Sequence, residues 1–162
     1  MLTRILQFVR VMALGAWVGA IVYFAAVVTQ GAFAVLSSRD EAGLLVGFTL
    51  GGLHLMGVIA AAIFVVASVA LTKSLRAFVE PAVLGVILMA ALTIASQDYV
   101  LPRMAVLRSQ MGSVDATPAS DPRRAEFDKL HGVSVDIEGA VLLIGLASLF
   151  LAAREKRVPS GE

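Results

Sequence analysis

The sequence predicts an all-α polytopic membrane protein, a bundle of four transmembrane helices with a long polar loop between the third and the fourth. Three observations predict it. Hydrophobic residues make up 59% of the chain and charged residues 15%, where a soluble domain carries about 25% charged. Mean hydropathy is +0.89. The apolar residues are gathered into long uncharged blocks, without the alternating or heptad pattern of a soluble core. The whole chain, 1–162, reads as a single membrane domain with helices at about 5–37, 43–72, 77–97 with an extension to 111, and 122–154.

The first uncharged run goes from Val11 to Ser38, longer than the roughly 20 residues that cross about 30 Å of hydrocarbon. A cleaved signal peptide, with Arg4 and Arg10 as its basic region and Ala32-Phe33-Ala34 as its processing site, needs a shorter apolar stretch. After the polar turn Ser37–Glu41, a second run continues from Ala42 to Thr72 with His54 as its one ionisable group. Lys73 and Arg76 close it. The third run, Pro81 to Gln97, has proline where a missing N–H costs least, so the helix is expected to begin near Ala77 with Glu80 in its first turn.

Most of the remaining charge lies between Asp98 and Gly132, the expected long loop, with Ser113–Ser120 as its small-residue linker. Asp121-Pro122 reads as a helix cap followed by proline at the first helical position. The final uncharged run, Gly139 to Ala153, is too short to span. A spanning helix must begin near Ser134, which draws Asp136 and Glu138 into the membrane or to its edge. The competing reading is a three-span protein whose last segment lies in the interface.

Basic residues set the orientation. Arg4, Arg10, Lys73, Arg76, Arg154, Lys156 and Arg157 fall on one side, and the greater basic density there predicts a multi-pass plasma-membrane protein with both termini cytoplasmic. Counting outward from those charges, Gln30 lies about 30 Å beyond Arg10, His54 about 28 Å from Lys73, Gln97 about 31 Å from Arg76, and Glu138 about 24 Å from Arg154. All four helices therefore bring a polar group into the outer third. Asp128, His131, Ser134 and Glu138 share one helical stripe by their three- and four-residue spacings, while Asp136 points elsewhere.

Polar groups facing lipid are costly, so His54 and Glu138 are expected to face the bundle interior and find partners there. The candidate polar site comprises His54, Glu138, His131, Gln30, Gln97, Ser134, Asp136 and Asp128. Its bland reading is a packing bond that fixes helix register. Its functional reading is a cavity that binds a solute, an ion, a metal or a haem edge, or that passes a proton. No cofactor is predicted; a divalent metal or haem on His54, His131 and Glu138 is the alternative, although no ligand-spaced histidine motif is present. The two histidines stand about 6 Å apart along the membrane normal, an awkward distance for one iron.

Gly15, Gly19, Gly47, Gly51 and Gly139 are expected to let helices approach closely, with Trp17 packing beside Gly15 and Gly19. Within one bundle they serve packing; the alternative is a homodimer or contact with a larger membrane complex. The lipid bilayer is the expected partner. Nucleic acid is excluded by a net charge of +1 and the absence of a basic stripe. The chain has no cysteine, and neither a G-x-S-x-G elbow nor a phosphate-binding glycine loop, so an enzyme is the least supported class.

Several motifs together carry a resemblance: Trp17-Val18-Gly19 with Tyr23-Phe24, Ala42-Gly43, Pro102-Arg103 with Leu107-Arg108, and Phe127-xx-Leu130-His131-xx-Ser134. The chain resembles the uncharacterised transmembrane-protein-205-like family of small bacterial membrane proteins, and its Trp-x-Gly element is also similar to copper-resistance protein D. The resemblance implies four membrane helices and no assigned reaction. This chain departs from it with Thr29-Gln30 where Ala-Pro is expected, and with Glu138 where asparagine is expected.

Overall fold

A computed structural model describes residues 1–154; Lys156 and Arg157, counted above for orientation, lie outside the described residues. Four helices are long and apolar enough to cross a membrane: α1 (Leu2–Val35), α2 (Arg39–Thr72), α3 (Pro81–Met111) and α4 (Pro122–Arg154). They run up, down, up and down. Neighbours in sequence pack together, and α1 closes the ring against α4. Both described ends of the bundle's chain, at Leu2 and Arg154, therefore lie at one end, the proximal end; the α1–α2 and α3–α4 connections lie at the distal end.

The helix ends follow local chemistry. Ser38 caps α2 by accepting the Glu41 N–H at 3.1 Å, a capping geometry that starts the helix at Arg39, four residues before the expected position. Lys73 ends it in the left-handed conformation (φ 50°). The expected start of α3 near Ala77 is corrected: Leu75–Val79 form a 3₁₀ turn, and Glu80 is extended (ψ 132°) as the cap before Pro81. A residue preceding proline is driven out of the α region, which sets that boundary. At α4, Asp121 accepts the Arg123 N–H at 2.8 Å, as the Asp-Pro pair predicts.

The expected long polar loop is not found. Helix α3 continues to Met111 and α4 begins at Pro122, so the connection is only residues 112–121. Pro102 does not stop α3 because a π-helical turn, Ser96–Val100, precedes it and already widens the hydrogen-bond ladder that proline would break. A second π turn, Phe24–Thr29, interrupts α1 at a similar depth.

The core is concentrated toward the proximal end and the middle, where Leu14, Trp17, Phe64, Val83, Val86, Met89 and Val141 are all buried. Close approach there depends on three glycines. A Cβ on Gly57 would run into the Trp17 indole, one on Gly85 would meet the Ser148 hydroxyl, and one on Gly145 would lie 2.8 Å from Val18. The expected packing glycines differ: Gly15, Gly19, Gly47 and Gly139 have open space at the Cβ position. Trp17 does pack, but against α2 at Gly57 and not beside the glycines of its own helix. Arg10, expected at the interface, is 1% exposed, with its guanidinium carbon 4.9 Å from the Phe64 ring centroid. Long aliphatic stems and a stacked guanidinium make such burial tolerable.

Candidate functional site

Toward the distal end the helices part around an open cavity of about 1410 Å³, bordered by all four. Small residues make the room. Gly43, Gly47 and Gly51 recur every fourth residue on α2 and border the cavity, with Gly139 opposite on α4. The walls are mainly apolar, and the charged groups and histidine lie along one stripe, at the floor and at the rim.

His54 lies just behind the floor, which Gln97 and Glu138 form. It is 2% exposed and bonded at both ring nitrogens. Nδ1 is 2.9 Å from Gln97 Oε1, and Nε2 is 2.6 Å from Glu138 Oε1. Three helices thus meet through one imidazole. Gln97 reaches it from within the π turn of α3, a distortion that recurs at functional sites because it re-aims side chains. Gly51 stands beside it, the Gln97 amide oxygen in ordinary contact range, 3.9 Å from where a Cβ would stand.

These bonds fix the proton inventory. Oε1 of Gln97 only accepts, so Nδ1 carries the hydrogen. Nε2 and Glu138 then share one proton, either as imidazolium with carboxylate or as imidazole with carboxylic acid. Removing that proton would leave two acceptors facing each other. The two side chains form one hydrogen-bonded pair.

Asp128, His131 and Ser134 border the cavity along α4 above Glu138, as their spacing predicts. None of them touches His54 by a hydrogen bond. Gln30 and Asp136 do not border the cavity and are exposed. Asp136 is two residues from both Ser134 and Glu138, about 200° around the helix. Gln30 has the right depth on the wrong face, because the π turn just before it shifts the helical phase. No group of three or more histidines and carboxylates that could hold a metal ion occurs among the described residues.

The sequence reading missed the rim. Asp40 accepts the Ser113 hydroxyl at 2.5 Å and the Val114 N–H at 2.9 Å, and the Arg124 guanidinium donates to the Val114 carbonyl at 2.5 Å. The connection is thereby fastened to α2 and α4. Arg108 also borders the cavity, its guanidinium carbon 5.5 Å from the Phe127 ring centroid. The signal for it was Gly43, since a Cβ there would fall 2.9 Å from Arg108 Nη2.

A family model described as Domain of unknown function (DUF4149) matches residues 12–113, which takes in His54, Gln97 and Arg108 and ends before Glu138. No curated protein and no solved structure matches the chain.

Proposed function

This chain belongs to that family of unknown function, and from the cavity we propose that it binds, and passes across part of the membrane, a small cation, proton or hydrogen-bonding solute at His54 and Glu138. The observation that carries this reading is the 2.6 Å contact between His54 Nε2 and Glu138 Oε1, with Glu138 bordering an open cavity. A proton held between two groups, with a carboxylate bordering the cavity, is replaceable by another cation or by a donor on a solute. The α4 stripe of Asp128, His131 and Ser134 supplies polar steps from rim to floor over about 15 Å. Intramembrane carboxylates and histidines that face a cavity mark such pathways.

The density of basic residues at the proximal end supports both termini in the cytoplasm of a plasma-membrane protein, with the cavity in the outer leaflet. Purified protein in proteoliposomes with an entrapped pH dye tests the reading. After an outward acid step, wild type acidifies the lumen faster than empty vesicles, and His54→Ala and Glu138→Gln both return to the empty-vesicle rate while eluting as folded protein. A thermal-shift screen against alkali and alkaline-earth cations reports binding without transport. If neither assay separates wild type from the two variants, His54 serves register alone.

A second reading has its own observation. Gly15 and Gly19 lie four residues apart on α1 with open space at both Cβ positions, a surface suited to a second helix. Light scattering in detergent decides between a monomer and a homodimer.

A further inference from the structure

The cavity has a second chemistry at its rim, where three cations border it. Two are engaged: Arg124 donates to both Asp128 carboxylate oxygens at 3.0 and 2.9 Å, and Arg39 stands 3.7 Å from Asp115. Arg108 differs. Among the described residues its guanidinium makes no hydrogen bond to a protein group, and its Nε is buried without an acceptor. Asp40 acts on it only through space, since that carboxylate is occupied by Ser113 and Val114. The guanidinium is nonetheless held in place, its carbon 5.5 Å from the Phe127 ring centroid and its Nη2 against Gly43. A fixed planar fork of donors with nothing to bind is complementary to a phosphate or carboxylate.

Below Arg108 the cavity continues as an apolar trough along Gly43, Gly47 and Gly51. From Arg108 to Gln97 is eleven residues of α3, about 16 Å. The volume of about 1410 Å³ exceeds the roughly 300–1,000 Å³ of ordinary small-molecule pockets. Anion recognition at the rim and a long apolar trough beneath it specify opposite ends of one ligand. We infer that the distal cavity is a binding site for an anionic lipid, its phosphate or carboxylate head held by Arg108 and its acyl chain lying along the glycine face of α2. This site does not depend on the His54–Glu138 pair, which lies beyond the chain's far end.

Dodecyl phosphate tests it, radiolabelled and titrated into full-length protein purified in a maltoside detergent, whose head is uncharged. Wild type is expected to bind one molecule per chain at least tenfold more tightly than dodecanol or inorganic phosphate competes. Arg108→Gln is expected to weaken binding at least tenfold, and Gly47→Leu, which fills the trough, by a similar factor. His54→Ala, which abolishes the proton-linked function proposed above, should leave dodecyl phosphate binding within about twofold; the two readings therefore fail separately. Equal competition by inorganic phosphate would show a free-anion site, and equal competition by dodecanol a greasy cavity without head-group recognition; either overturns the inference. So does wild-type affinity in Arg108→Gln. Should that variant not fold, the three-ligand competition on wild type still decides.

Discussion

The two halves of this bundle use the same small residue for opposite ends. In the proximal and middle region, Gly57, Gly85 and Gly145 are places where a neighbouring side chain fills the space that a Cβ would occupy. In the distal region, Gly47 and Gly139 stand open and border a cavity. One half is packed to exclude everything, and the other is spaced to admit something. The difference teaches that a glycine pattern in a membrane helix does not by itself report close packing; the facing residue decides. Where that residue is Trp17 the glycine is a socket, and where nothing faces it the glycine is a wall.

Substitutions that exchange these roles give the sharpest tests. Gly57→Leu drives a side chain into the buried indole, and Trp17→Ala leaves a void of comparable size. We expect the first to abolish folded protein in detergent extracts. The second should cost about 3 kcal/mol or more, read as a lowered unfolding midpoint in a denaturant titration. Gly47→Leu, by contrast, should change that midpoint little while emptying the cavity of ligand. If Gly47→Leu proves as damaging as Gly57→Leu, the contrast between the halves collapses.

The floor of the cavity should respond at an intermediate level. His54→Ala strips Glu138 and Gln97 of a partner, and a buried polar group left unsatisfied costs about 1–3 kcal/mol. Glu138→Gln keeps a hydrogen-bonding group of the same shape and should cost less. A double-mutant cycle between them should show strong coupling, since the 2.6 Å contact is shared. Additive effects would mean that the two residues act apart.

The smallest effect is expected at the rim's helix cap. The Arg123 guanidinium and N–H hold the half-buried Asp121 carboxyl down to about 2, from an ordinary value of 3.8. A carboxyl with a lowered folded-state pKa stabilises fully above its unfolded value, and that contribution is lost as pH falls from about 4 through 2. The start of α4 should therefore stay protected in hydrogen exchange at pH 5 and fray only below about pH 3. Asp121→Ala should abolish that acid dependence while leaving cavity binding unchanged.

Much of this was legible in the sequence. Span lengths and the uncharged blocks gave the four helices, and three- and four-residue spacing placed Asp128, His131, Ser134 and Glu138 on one wall. What stayed hidden depends on the third dimension. The π turns at 24–29 and 96–100 carry no composition signal, yet one rotates Gln30 away and the other turns Gln97 in. Arg10 read as an ordinary interfacial cation and Arg108 was not singled out for the site, because the aromatic rings beside them come from other helices. The long loop was overestimated because charge density marks exposure to water, which a helix extending beyond the hydrocarbon shares with a loop.

The fastened connection also determines how anything would reach the cavity. With Asp40 tied to Ser113 and Val114, and Arg124 tied to Val114, the top is strapped from two sides. Exposed Phe48 and Leu55 border the cavity from the flank of α2. Arrival from the flank is a search in two dimensions, at a concentration set by membrane partitioning and not by the surrounding water. Occupancy would then track the make-up of the leaflet.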